Sequence, residues 1–173
     1  MKLFVGVDVS SDDLKVCVMD CDGNSLKKFT VQNNPTGASF LRDQVISLAD
    51  KHSCQEIHIG MESTSVYSFH PAMFLNEDEA LRKHQTKVYV INATLVNKFK
   101  EAYPYLDKTD DIDAWVIADR LRFGRIPYTV VMQEQLLALQ RLTRMRYRLV
   151  HNMTREKQRS EEHTSELQSL RHL

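Results

Sequence analysis

From residue 3 the chain runs LFVGVDV, an apolar, β-branched stretch that reads as a strand ending near Asp8. A polar SSDD turn leads into LKVCVMD (14–20), a second strand. Asp22-Gly23 within CDGN then marks a hairpin into a third, SLKKFTVQ (25–32). Three short strands joined by tight turns form an antiparallel meander. The period then changes: Phe40, Leu41, Val45, Ile46 and Leu48 recur at helical spacing after a Pro/Gly entry. QEIHIGMES (55–63) predicts a fourth strand ending near Glu62. SVYSFHPAMFLNEDEALRKH predicts a helix, with Pro71 at a break or a first turn. KVYVIN (87–92) is a fifth strand and ATLVNKFKEAY a short helix; a loop with Pro104 leads to a helix beginning near Thr109. The order βββαβαβα predicts an α/β fold, a mixed central sheet flanked by helices. From about Glu134 to Gln158 the pattern is that of one long, basic amphipathic helix.

The length of 173 residues suits one domain with an appended element, and 42% hydrophobic with 27% charged residues is the composition of a soluble globular protein. No apolar run approaches the roughly 18 residues needed to span a bilayer, so no membrane association is expected. Cys17, Cys21 and Cys54 are odd in number and lack paired metal-ligand spacing, which fits a reducing cytoplasm. The net charge of zero conceals an asymmetry. Residues 1–79 carry 6 Lys/Arg against 12 Asp/Glu, whereas residues 80–158 carry 15 against 8. The basic excess, concentrated beyond residue 120, fits either a polyanionic partner such as nucleic acid or a solvated helix face.

The last fifteen residues, RSEEHTSELQSLRHL, depart from the preceding spacing, and residues 159–169 read as the translation of a common sequencing-adaptor oligonucleotide. Residues 159–173 are therefore expected to be an adaptor-derived artefact, with the natural product continuing differently beyond Gln158.

The carboxylates carry the candidate chemistry. Asp8 lies in an apolar strand between Val7 and Val9, where burial is costly unless the acid is paired or coordinating. Glu62 follows the apolar HIGM at another strand end, and strand ends are where α/β sheets place ligand sites. In KTDDIDAWVIADRL, Asp110 and Asp113 are three apart and share a helix face that continues through Ile117 and Leu121. Asp111 falls on a neighbouring face with Trp115. Thr109 as N-cap and acids in the first turn explain Asp111 through the helix dipole. For Asp110 and Asp113, helix-start chemistry and a metal site both remain open. Four oxygen ligands without His or Cys suit Mg2+ or Mn2+. Two such ions can activate a nucleophile and stabilise the leaving oxygen of a phosphodiester.

GVDVSSDDLKV, HIGMESTSVY and NATLVNKFKEAYPYLDKTDDIDAWVIADRL, in that order, resemble the N-terminal domain of the DEDD-type transposases of bacterial insertion sequences, the bridge-RNA-guided recombinases. The likeness covers about residues 2–158. It implies a ribonuclease-H-like, RuvC-like catalytic domain over residues 1–128 and a helical connector over 129–158. Asp8, Glu62, Asp110 and Asp113 would be the catalytic, metal-binding acids. It further implies DNA strand cleavage and exchange during transposition, selection of DNA by an element-encoded guide RNA, and homo-oligomerisation. The family's C-terminal domain, with a serine nucleophile, has no counterpart here, so the chain alone is expected not to recombine DNA. A Holliday-junction-resolvase-like nuclease of the same fold and a non-catalytic nucleic-acid-binding remnant are the alternatives. An actin-like or sugar-kinase ATPase half is disfavoured, because none of the five glycines forms a second phosphate loop. His58 reads as a sheet residue rather than a ligand, and Trp115 and Tyr103 as packing residues. Lys108 is either a phosphate contact or an exposed lysine.

Overall fold

A computed structural model describes residues 1–63, 67–103, 112–126 and 134–170. The chain divides into two compact units, Met1–Val131 and Met132–Leu173.

The first unit is built on a five-stranded sheet: β1 (Lys2–Val9), β2 (Asp13–Met19), β3 (Ser25–Gln32), β4 (Glu56–Glu62) and β5 (Lys87–Ile91). The strand order is β3-β2-β1-β4-β5. The meander pairs antiparallel, whereas β1–β4 and β4–β5 are parallel, reached through helical crossovers. The β2–β3 turn is tied by Asp20, whose Oδ1 accepts from the Asp22 and Asn24 amides at 2.9 and 2.8 Å. In α1 (Pro35–Lys51), Pro35 occupies the first helical turn and the Asn34 side chain caps the Gly37 amide at 2.8 Å. The helix anticipated after strand four is divided into α2 (Phe69–Glu77), with Pro71 in its first turn, and a short α3 (Glu79–Arg82). Asp78 causes the division: its backbone is extended and its carboxylate caps the amides of Ala80 and Leu81. The remaining helices of this unit are α4 (Ala93–Lys100) and α5 (Ile112–Phe123).

Strand side chains alternate between two cores. Leu3, Val5, Val7, Val16, Val18, Ile57, Ile59 and Met61 face one way and pack with Leu41 and Val45 of α1, Leu75 of α2 and Leu81 of α3. On the other face Phe4, Met19 and Ile91 pack with Val96 of α4 and Val116, Ile117, Ala118 and Leu121 of α5. The mixed sheet flanked by helices is the predicted α/β architecture. In the second unit, α6 spans Glu134–Leu170, twelve residues beyond Gln158. No Pro or Gly interrupts residues 159–170, and their Glu, Gln and Leu favour helix, so the polar tail continues it. Among the described residues no helix is long and apolar enough to cross a membrane.

Candidate active site

The site begins with a missing pair of side chains. Gly6 of β1 and Gly60 of β4 are partners across the parallel ladder, and together they open a flat lane in the sheet for α5. A Cβ at position 6 would lie 2.0 Å from the Ala114 carbonyl oxygen and 2.4 Å from the Ala118 nitrogen. At position 60 it would meet the Leu121 side chain at 2.8 Å. Backbone thus rests on backbone at Gly6, a closeness only glycine permits. With α5 seated in this lane, its first turn arrives beside the carboxyl ends of β1 and β4.

Those strand ends carry the acids. Asp8 is two residues beyond Gly6 and Glu62 two beyond Gly60, so both side chains leave the sheet on the α5 face. Asp113, in the first turn of α5, immediately precedes the Ala114 that touches Gly6. All three are partly buried. Burial raises the Glu62 carboxyl above its ordinary value, and the negative charges of Asp8 and Asp113 raise it further, against an opposing pull from Lys100. Three acids therefore share one electrostatic neighbourhood. Among the described residues no three Asp, Glu, His or Cys side chains are drawn tightly enough together to hold a metal ion. Asp113 is engaged instead by Lys100 of α4, whose Nζ lies 2.5 Å from its Oδ1. Asp110, Asp111, Thr109 and Lys108 lie outside the described residues.

Oxygen-only donors under mutual repulsion fit a hard divalent cation, whose charge would offset the repulsion among Glu62, Asp8 and Asp113. The same region explains two further readings. His58 stacks between Phe4 and Tyr89, with ring centroids 5.5 and 5.8 Å away, as a sheet residue does. Tyr103 packs edge-on to Trp115 at 5.4 Å.

Three features escaped the sequence reading. Lys100 pairs with Asp113 across thirteen residues, a contact no local spacing signals. Asp119, within KTDDIDAWVIADRL, is 2% exposed. It accepts from the Tyr103 hydroxyl and from Arg122 Nε at 2.7 Å, so a buried charge is neutralised where α5 meets the end of the α4 segment. Its helical position among Val116, Ala118 and Leu121 was the available signal. The glycine lane required knowing that β1 and β4 are neighbours.

A sheet of this order, helices on both faces and acids at adjacent strand ends define a mixed α/β domain with an acidic site at its strand ends. A family model described as Transposase, that of the IS110-type DEDD transposases, matches residues 5–167, and the chain belongs to this family. Among solved structures, the chain is similar to Thermus thermophilus RuvC in complex with Holliday junction substrate, at 12% identity and a TM-score of 0.48, over 75% of this chain and 100% of that one. It is also similar to a second Thermus thermophilus RuvC structure, at 12% identity and a TM-score of 0.44, over 67% of this chain and 90% of that one. No curated protein matches the chain significantly.

Proposed function

We propose that this chain is the catalytic part of a DNA transposase, cleaving and exchanging DNA strands through Mg2+ or Mn2+ held by Asp8, Glu62, Asp110 and Asp113. What carries the proposal, beside membership of the transposase family, is the placement of Asp8 and Glu62 two residues past the paired Gly6 and Gly60, with Asp113 on the turn of α5 that touches Gly6. Three acids from two strands and one helix are set against one another where a cation would reconcile them. When bound, such a cation supplies activation of a nucleophile and charge stabilisation at the leaving oxygen of a phosphodiester.

The chain's own residues do the rest. Asp8 and Glu62, fixed by the parallel ladder, hold two ligand directions from a rigid sheet edge. Asp113 brings a third on α5. Lys100 neutralises and orients Asp113, and would compete with a bound cation for its carboxylate. The α6 arginines, including Arg144, Arg148 and Arg155, offer counter-charge to nucleic acid, DNA or a structured RNA encoded by the element. Selection of DNA by that RNA and assembly into a homo-oligomer complete the reading.

Calorimetric titration with Mn2+ tests the metal centre without relying on turnover. Asp8→Ala, Glu62→Ala and Asp113→Ala should each weaken binding at least tenfold while leaving the circular dichroism spectrum unchanged. Wild-type affinity in all three variants would refute the site.

A further inference from the structure

The α5 face of the sheet is only partly covered. Among the described residues α5 lies mainly over β4, β1 and β2, and along β3 Lys28, Thr30 and Gln32 are exposed. Its opposite side is packed, with Phe29 against Phe40 of α1 at 6.2 Å. In the register, Asp8 of β1 stands opposite Lys15 of β2, and Lys15 opposite Thr30 of β3. Lys28 stands opposite Cys17, one step along the same face. Lys15, Lys28, Thr30 and Ala114 of α5, with the strand backbones at Val16 and Phe29, line a pocket of about 140 Å3.

This pocket therefore adjoins the acids through Lys15 and shares Ala114's flank with Asp113. Its chemistry is opposite to theirs: two ammonium groups and a hydroxyl, all donors, with the helix wall on one side. Adjacent strands are about 4.8 Å apart, which puts Thr30 roughly 10 Å from Asp8 across the sheet. That separation places the pocket beside the acid centre.

We propose that Lys15, Lys28 and Thr30 form a phosphate-holding pocket that grips the DNA backbone next to the phosphodiester presented to Asp8, Glu62 and Asp113. The lysines act as point charges on the phosphate and the threonine hydroxyl as a directional donor, so the contact positions the strand without reading its sequence. Lys15, opposite Asp8 in the register and part of the pocket lining, links the two halves. These are positioning residues. The nature of the strand rests on the transposase reading; the binding of a backbone phosphate does not.

The test uses the full chain and two probes, a fluorescein-labelled DNA duplex and a labelled four-way junction, read by fluorescence anisotropy over a salt series. Lys15→Ala and Lys28→Ala should each weaken binding several-fold and lower the slope of log Kd against log salt by about one. Lys28→Arg should restore the slope, and Lys87→Ala, an exposed lysine at the opposite end of the sheet, should leave it unchanged. A single methylphosphonate scanned along the probe should weaken the wild type at one position and have no effect there on Lys28→Ala. Thermal melts of all variants guard against a merely structural loss. Unchanged slopes in both lysine variants, or no DNA binding by the wild type, overturn the pocket. Mn2+ titration of the same proteins separates the readings. Lowered slopes alongside Mn2+ binding indifferent to Asp8→Ala leave the pocket standing and remove the metal centre. Acid-dependent Mn2+ binding with unmoved slopes does the reverse.

Discussion

Replacing Gly6 with alanine sets two opposing effects against each other. In an ordinary strand the substitution stabilises, by about 0.4–1 kcal/mol, through a less flexible unfolded chain. Here the added methyl would sit 2.0 Å from the Ala114 oxygen and 2.4 Å from the Ala118 nitrogen. Unstrained contacts of this kind need about 3.5 Å, so α5 must lift by about 1.5 Å along its first two turns. The obstructing atoms are helix backbone, which cannot rotate away as a side chain can. Overpacking costs about 1–3 kcal/mol, and a backbone obstacle places Gly6→Ala at or above about 3 kcal/mol. With a urea m value of about 2 kcal/mol per molar, the midpoint falls by roughly 1.5 M at unchanged m. Gly60→Ala provides the comparison: the three atoms nearest its new methyl all belong to the Leu121 side chain, with Cδ1 2.8 Å away. Leucine can change rotamer, so the cost drops to about 1 kcal/mol. Because α5 carries Asp113, Gly6→Ala should also weaken Mn2+ binding more than Gly60→Ala does. Equilibrium urea unfolding followed by circular dichroism measures both variants. The reasoning fails if Gly6→Ala unfolds at the wild-type midpoint or above it, or if Gly60→Ala proves the costlier.

Asp119→Ala strips a buried charge from Arg122 and Tyr103, and should cost about 3 kcal/mol in urea unfolding, against about 1 kcal/mol for Tyr103→Phe. Burial and the bond to Asp119 push the Tyr103 hydroxyl up to about 12. The folded state thus keeps a proton that the unfolded state releases near 10, and this contribution to stability is present below pH 10 and lost as pH climbs towards 12; ultraviolet titration of wild type and Asp119→Asn follows it. Lys100→Met removes the competitor for Asp113 and should tighten Mn2+ binding several-fold in calorimetry, with stability altered by less than about 1 kcal/mol because the pair is partly exposed. Since the Glu62 carboxyl is raised by burial and by Asp8 and Asp113, Mn2+ affinity should increase with pH through its titration, and Asp8→Asn should move that titration to lower pH, as carboxyl carbon NMR would record.

The fold was legible where the signal is local. Alternating apolar residues and the Asp22-Gly23 turn located the meander to within a residue or two of the observed β1, β2 and β3. Asp8 and Glu62 declared themselves as acids at apolar strand ends, and the Asp113–Ile117–Leu121 stripe does face the core, with Ile117 and Leu121 buried. What stayed hidden depends on pairing between distant segments. Gly6 and Gly60 look like ordinary strand glycines until β1 and β4 are known to lie side by side. Lys100 looks like a routine cation at a helix end until α4 is laid against α5. The division at Asp78 was local but ambiguous, because the same carboxylate serves a helix interior or a cap. The extension of α6 beyond residue 158 reflects propensity, which a change in composition does not by itself cancel.

The seating of α5 on Gly6 also bears on when during folding the three acids can come together. Residue 6 emerges early in synthesis and residue 114 more than a hundred residues later, so the lane is filled by one of the most sequence-distant contacts in the unit. Contacts of that separation carry a large loop-closure cost and tend to form late in folding. In a chain that has formed β1 and β4 before α5 docks, Asp8 and Glu62 would stand on their strands without Asp113. On the proposed function, metal-dependent strand cleavage would thereby be deferred until the whole unit has closed around the acids.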